Sequence, residues 1–560
     1  MYGFSIFKGV KPQVVPENRI EYQDKLCVNN MIAKFNQDKL FSETDNLIVI
    51  LDGLVLNKKE LQGDEEWLNV VIRLYERNGD TFFNVFRGCF SGAIYDKRKD
   101  KWIIFTDQLG QKFVYYALVN DKFICSSIIG NVYNALKENG LQYHLSEESA
   151  IILLSFGFML KDRTLSEEVK KIQPGCYIVF ENNTVREINY YTLSNTPNYE
   201  RNIDETIEQL DELFKEAVKR QFEKDNEYGY KHICALSAGL DARMTTFVAH
   251  EIGYTEQTNF TFSQCDYWDD IIPKAMAKDL RHEWLFKSLD DAKWLMTADK
   301  ITEVTGGNVY YQGSAHGNSL FENINWNDYG IIHSGQMGDV VPSCKPMSND
   351  EQYVIGDGAC YKHYMDDLKH VLGPDFKYPN KEIGLWYCRY LNGTNNGQQN
   401  EYNYNETFSP FTDLDFLSYC LSIPCSIRHN HKLYKRWILK KHPMAAAYGW
   451  EKMGGRKITA FTFNFMGKEI IPGSIPSMII RKIKLKTGLG TVETPKHMNP
   501  IDYYIKTNKE LSNYIDSYSE YLDKISNDRI KNIYRNIMDN GLGGEKLQAL
   551  SLLSAVKLYF

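Results

Sequence analysis

No two cysteines in this 560-residue chain are spaced as CxxC, which removes zinc ribbons and thioredoxin-like redox sites from consideration. The eleven cysteines are scattered and odd in number, so they read as reduced thiols of a cytosol and not as a disulfide framework. Long apolar runs are missing too. The richest, AIILLSFGFML at 150–160, is too short to span a bilayer. The opening MYGFSIFKGV has neither the charged nor the apolar region of a signal peptide, so a cytoplasmic protein with no membrane partner is expected. Positive charge is not in excess: 65 Lys and Arg face 72 Asp and Glu, a net charge of -7. With no local basic patch, nucleic acid is not an expected partner. There is no internal repeat and no low-complexity tract. What is present is globular, 43% hydrophobic and 24% charged, and too long for one ordinary core, so two domains are expected.

To about residue 195 the chain is a series of short strand-like runs between turns: NLIVILDGLVLN, GCFSGAIYD, KWIIFTDQLG, KFVYYAL, DKFICSS and GCYIVFENN. Their alternation and their β-branched and aromatic content predict an antiparallel sheet domain, with EWLNVVIRLYERNG as an amphipathic helix. A polar linker, TLSNTPNYERN at 192–202, follows. Helices and strands then alternate, with KHICALS and TNFTFS as strands, which predicts a parallel α/β sheet. From about residue 497 the chain reads as helical.

The stretch HICALSAGLDARMTTFVAHEIGY, His232 to Tyr254, is an apolar strand, a turn of small residues with one acid, then a helix. Such a turn sets bare backbone N–H groups at a helix N-terminus, and both attract phosphate or pyrophosphate. A second apolar run, IIHSGQMGDVV at 331–341, also ends in a glycine-containing turn with an acid, Asp339. In an open α/β sheet ligands sit beyond the carboxyl ends of the strands. If the two turns adjoin, Asp241 and Asp339 can share a Mg²⁺ ion that also holds nucleotide phosphates. Taken alone, each turn is more often an ordinary strand-to-helix connection.

LSAGLDAR resembles the SGGxDS pyrophosphate loop of the N-type ATP pyrophosphatases, and its surroundings resemble the asparagine synthetase group within them. LDGLVLNKKEL is similar to that family's NGEIYNxxEL segment, FRGCFSGAIYD to LxGMFAFALWD and TDQLGQKFVYY to RDRLGxKPLYY. KKIQPGCYIVF resembles the turn that closes the family's glutaminase-type domain. Further on, SGQMGD is similar to SGEGxDE, SPFTDLDFL to PFLDxxL and HKLYKRWILKKHP to KxxLRxxxxxxLP. Colinear order over roughly 450 residues gives the resemblance its weight.

The resemblance implies α/β plus α+β architecture. Residues 1–195 would form a degenerate glutamine amidotransferase-like domain, an Ntn-type antiparallel sandwich with helices. Residues 203–560 would form an asparagine synthetase-like ATP pyrophosphatase domain with a helical extension. It also implies an ATP-dependent carbon–nitrogen ligase, AMP- and pyrophosphate-forming, that uses ATP and Mg²⁺ to adenylate a carboxylate before ammonia or an amine attacks. Ser237, Ala238, Gly239, Leu240, Asp241, Ala242 and Arg243 would form the pyrophosphate loop, and Asp339 the second magnesium acid. Leu236, Phe262, Ser334 and Gly335 would border the adenine, with Gln336 beside them. Lys432 best matches the lysine that steadies the acyl-adenylate transition state, with Lys435, Arg436 and Lys457 as alternatives.

Departures from the pattern narrow this. Tyr2 stands where glutamine-hydrolysing members carry a nucleophilic cysteine, and neither Cys27 nor Cys89 can replace it. Asp52-Gly53-Leu54 puts an acid where an amide is wanted, which opposes oxyanion binding; glutaminase activity is not expected. Ala238 replaces a glycine and Ala242 a serine, for which Arg243 could compensate in charge. Gln336 replaces a glutamate, and a neutral amide cannot deprotonate an amine. Plain asparagine synthesis is therefore disfavoured relative to chemistry like that of β-lactam synthetases, lasso-peptide cyclases or relatives that amidate sugar acids in polysaccharide biosynthesis. The implied partners are a small-molecule or peptide carboxylate and an amine or ammonia, with room for a homodimer or a separate biosynthetic partner protein. The competing reading is a non-catalytic nucleotide-binding scaffold. In that reading Leu236 and Phe262 are core residues and Lys432, Lys435 and Arg436 a solvated helix face. For Asp266, Asp269 and Asp270 in CDYWDD, a helix cap and first-turn acids are the preferred reading, with Asp266 also a candidate near the nucleotide.

Overall fold

The computed structural model describes residues 2–199, 202–374, 376–459, 463–465, 468–470 and 495–560. Glu200 and Arg201, at the end of the linker, lie outside the described residues. Two six-stranded antiparallel sheets come first. One holds β1 (Gly3–Lys8), β2 (Arg19–Tyr22), β3 (Lys25–Asn30), β8 (Tyr115–Val119), β9 (Lys122–Ser126) and β10 (Lys170–Lys171), in the order β10-β8-β9-β1-β3-β2. The other holds β4 (Leu40–Glu43), β5 (Leu47–Val55), β6 (Gly88–Asp96), β7 (Lys101–Thr106), β11 (Cys176–Glu181) and β12 (Thr184–Asn189), in the order β12-β11-β7-β6-β5-β4.

Strand β5, LIVILDGLV, is buried along its whole length because both faces of its sheet are covered. Ile48 and Ile50 pack toward Phe4, Ile6 and Cys27 of the first sheet. Leu47, Val49 and Leu51, on the opposite face, meet Val70, Val71 and Leu74 of the helix Trp67–Asn78. A strand covered on both faces reads as a continuous apolar run and not as an alternating one.

The third sheet is parallel and runs β15-β14-β13-β16-β17. Its strands are β13 (Lys231–Ala235), β14 (Gln257–Ser263), β15 (Glu283–Ser288), β16 (Tyr329–His333) and β17 (Thr407–Phe408). Helix α1 (Ile203–Tyr228) leads into it, capped by Asn202, whose side chain accepts the N–H groups of Asp204 and Glu205. Ile207, Leu210, Phe214 and Val218 recur at helical spacing along its buried face. Four further helices matter for the site: α2 (Asp241–Glu251), α3 (Trp268–Leu280), α4 (Gln312–Phe321) and α5 (Lys432–Lys441). The last helix, α6 (Gly543–Tyr559), packs against helices from both halves of the chain. Its Leu550 and Leu553 share one core with Ala150, Leu153 and Leu165, and with Leu295 and Ile301. Among the described residues no helix is long and apolar enough to cross a membrane.

Candidate active site

β13 and β16 are neighbours, yet β13 continues to β14 on its other side. This is the strand-order reversal at which loops splay apart and leave a crevice. A cleft of about 630 Å³ opens there, lined by the loops after both strands. Beyond β13 the chain turns through Leu236–Leu240 into α2, whose N-cap, Leu240, supplies no side-chain hydrogen bond. The N–H groups of its first turn are thus uncapped by a side chain, an arrangement that favours anions.

The loop after β16 lies directly against that turn. A Cβ at Gly335 would fall 2.1 Å from the Ala242 nitrogen, and one at Gly338 would fall 2.6 Å from the Asp241 Cγ. Only glycine permits this approach. Met337 turns the loop at φ 71°, and Thr245 donates from Oγ1 to the Ser334 carbonyl at 3.1 Å. Asp241 and Asp339 thereby share one end of the cleft. Burial and then the charge of Asp339 push the Asp241 carboxyl well above its ordinary range, against the pull of Lys452. Tyr434, beside both acids, stays protonated through burial and the Asp241 charge.

The residues expected to form the nucleotide site separate into two groups. Leu236, Ser237, Gly239, Leu240, Asp241, Ala242, Phe262, Ser334, Gly335, Gln336 and Asp339 line the cleft. Ala238 and Arg243 do not. The Ala238 N–H donates to Asp269 Oδ1 at 2.8 Å. Arg243 is fully buried and donates to the carbonyls of Ala238 at 3.0 Å, Ala445 at 3.1 Å, Tyr448 at 3.3 Å and Gly449. Its two terminal nitrogens fix the 445–449 segment to the loop, facing away from the cleft. The compensating phosphate charge expected of it is corrected accordingly.

The basic residues also move. Lys432 and Arg436 are exposed, Lys435 is buried in α5 and Lys457 is exposed on a short strand; none of them lines the cleft. Lys452 lines it instead, with its Nζ 3.2 Å from His431 Nε2. The Glu451–Met453 turn that carries it is held partly through the Glu451 N–H to the Ala238 carbonyl at 3.4 Å. In the sequence Lys452 is one cation among several in EKMGGRK, with no periodicity to mark it.

Of the aspartates at the start of α3, Asp269 and Asp270 are first-turn acids as expected, while the capping role is corrected. The N-cap is Tyr267, with no side-chain capping bond, and Asp266 is exposed at φ 60° outside the helix. Asp269 lines the cleft. Burial lifts its carboxyl to about 6 despite the opposing Ala238 N–H. Its place on the cleft wall is not marked in the sequence, where first-turn acids look alike.

The glutamine amidotransferase domain family matches residues 33–191. A putative glutamine-hydrolysing asparagine synthetase 2 of Methanocaldococcus jannaschii is 26% identical over 233 residues, 39% of this chain and 44% of that one. The glutamine-hydrolysing asparagine synthetase 2 of Bacillus subtilis is 25% identical over 284 residues, 46% of this chain and 36% of that one. The chain is thus similar over residues 33–191 to glutamine amidotransferase domains and, over part of its length, to asparagine synthetases. It spans less than half the length of these two relatives. Among solved structures, the glutamine phosphoribosylpyrophosphate amidotransferase of B. subtilis complexed with ADP and GMP gives a TM-score of 0.24 at 10% identity. That likeness covers 52% of this chain and 85% of that one, and is too slight to carry weight.

In this asparagine synthetase-like chain the amidotransferase half holds a buried ion cluster. Lys39 Nζ is 2.8 Å and Lys112 Nζ 2.9 Å from the Glu406 carboxylate, and both lie within 3.7 Å of Asp52. Glu406 comes from the residue before β17, so the cluster joins the sandwich to the parallel sheet. Against a burial that would raise it, Lys112 and Lys39 hold the Glu406 carboxyl well below its ordinary range. Tyr2, Asp52, Lys112 and Tyr402 border a pocket of only about 30 Å³, room for about one water. Burial pushes the thiols of Cys27 and Cys89 far up, and Cys89 Sγ lies 2.9 Å from the Tyr402 hydroxyl.

Proposed function

We propose that this chain is an ATP-dependent ligase that adenylates a carboxylate and passes the acyl group to an amine or ammonia, without hydrolysing glutamine itself. The observation that carries this is the pairing of Asp241 and Asp339 on two touching loops at the mouth of a parallel sheet. Neither acid has a salt-bridge partner among the described residues, and Lys452 lines the same cleft. Two like charges held side by side in a cleft are costly unless a cation joins them. Their hard oxygen donors suit Mg²⁺, which supplies charge neutralisation for phosphate oxygens when bound.

The chain's own residues take the remaining tasks. Leu236 and Phe262 give the adenine an apolar wall. The first turn of α2 offers N–H groups to the phosphates. Lys452 meets the negative charge that grows as the substrate carboxylate attacks the α-phosphorus and pyrophosphate leaves. The loss of glutaminase chemistry is supported by the 30 Å³ pocket beside Tyr2, by Asp52 where an oxyanion needs a donor, and by thiols too buried to ionise. In this reading residues 1–195 brace the ligase half.

Exchange of labelled pyrophosphate into ATP with Mg²⁺, screened over pools of amino acids, uronic acids and peptide carboxylates, is the test. Carboxylate-dependent exchange is expected. ATP binding with no exchange in any pool would overturn the reading in favour of a scaffold. Lys452→Ala is expected to lower exchange by about 10²-fold, the usual scale for one electrostatic group at a reacting centre. Lys432→Ala, at an exposed position off the cleft, should leave it within about threefold.

A further inference from the structure

Resting on the ligase reading, we infer that Glu401 is the proton acceptor for the attacking amine. Gln336 can accept an N–H hydrogen bond but cannot take the proton, so the step needs another group on the cleft wall. Glu401 lines the cleft. Among the described residues it forms no salt bridge, and its Oε1 has no hydrogen-bond partner. Oε2 lies 2.5 Å from Thr407 Oγ1, which in turn lies 3.2 Å from the Ile332 carbonyl. Ile332 is two residues before Ser334, so Glu401 stands at the end of β16 from which the Gln336 loop departs.

The Thr407 hydroxyl has one proton and faces two acceptors. When Glu401 is ionised the hydroxyl serves the carboxylate; when Glu401 is protonated it donates to Thr407, which donates on to Ile332. Both protonation states are satisfied by turning one hydroxyl, which is what a group that gains and loses a proton each cycle requires. Burial, opposed only by the Thr407 hydrogen bond, holds the carboxyl up at about 7, and no neighbouring charge contributes. The other titratable side chains on the cleft wall include Asp241, Asp269, Asp339, Glu451, Arg389, Lys452, His316 and His431. Glu451 already accepts from the Tyr267 hydroxyl at 2.8 Å, His431 Nε2 lies 3.2 Å from the Lys452 ammonium, and burial lowers His316, whose Nδ1 lies 3.0 Å from the Gln312 carbonyl. Asp241 and Asp339 are committed to the cation and Asp269 to the Ala238 N–H.

The step balances simply. The Glu401 carboxylate takes a proton from the incoming ammonium, freeing the lone pair that forms the C–N bond; the bond from the acyl carbon to the AMP phosphate oxygen breaks with its electron pair on that oxygen, and the second nitrogen proton is released to water as the amide forms. The proton on Glu401 returns to water when product leaves.

The test compares wild type, Glu401→Gln and Glu401→Asp by three readouts on one carboxylate: pyrophosphate exchange, amide formation with ammonium chloride, and hydroxamate formation with hydroxylamine. The hydroxylamine nitrogen is largely uncharged at neutral pH and needs no base to become nucleophilic. Glu401→Gln is expected to cut ammonium-dependent amide formation by about 10²-fold or more, leaving exchange and hydroxamate within about threefold, with partial recovery in Glu401→Asp. Its residual amide rate should rise with pH up to the ammonium range without the break near neutrality expected of wild type. An unchanged ammonium rate, parallel loss of all three readouts, or no ammonium-dependent amide from wild type would each overturn the assignment. Absence of exchange in wild type would instead overturn the ligase reading.

Discussion

Replacing Asp241 with asparagine is expected to lower pyrophosphate exchange by about 10²–10³-fold and, at the same time, to raise the thermal midpoint of the ligand-free protein. Both effects have one cause. Burial and Asp339 raise the Asp241 carboxyl above its ordinary range, so folding disfavours the ionised form. That cost is absent below the unfolded carboxylate value near 3.9. It grows as pH rises through that value and levels off once the raised folded value is passed. Asparagine carries no such cost, so the variant's advantage should widen with pH, reaching on the order of a few kcal/mol at neutrality. Mg²⁺ with ATP should raise the wild-type midpoint and leave the variant's nearly unmoved. Calorimetry at pH 4 and pH 8, with and without ligand, reads all of this. A variant that retained full exchange would remove Asp241 from cation binding.

Replacing Glu406 with alanine is expected to destabilise the fold by about 3–5 kcal/mol, because Lys39 and Lys112 stay buried with Asp52 alone to balance them. Denaturant titration of wild type and Glu406→Ala measures it. Pairing Glu406→Gln with Lys39→Met, which removes a surplus charge together with its partner, should recover much of the loss. The depressed Glu406 carboxyl gives the sign with pH. Its contribution is complete above the unfolded value near 4.3 and disappears as pH falls through the depressed folded value. An alanine variant as stable as wild type would mean that the cluster does not hold the two halves together.

What the sequence makes legible follows from what periodicity can carry. Every strand-like run singled out before residue 195 is a strand, because LIVILDGLV and GCFSGAIYD are long, apolar and β-branched or aromatic. GFSIFK, RIEY, KLCVNN and TVREIN escape notice, since short strands with lysine, arginine or asparagine carry too little contrast. In the cleft, the paired glycine turns announce the Asp241 and Asp339 loops because their spacing is local. Lys452, Asp269 and Glu401 are not announced, since each arrives from a distant segment and is placed by tertiary packing. Arg243 shows the converse error. Its position beside the loop invites a role toward phosphate, while carbonyls of Ala238 and of 445–449 hold its terminal nitrogens away from the cleft.

The core shared by Ala150, Leu153 and Leu165 with Leu550 and Leu553 imposes an order on biosynthesis. These apolar residues emerge from the ribosome roughly 400 residues before their partners, a wait of about 20–80 s at 5–20 residues per second. Through that interval the amidotransferase-like half exposes an unfinished face, so it cannot be released as a self-sufficient unit ahead of the rest. A nascent chain stalled after the parallel sheet should therefore be held by cellular chaperones, and let go only when α6 has been made.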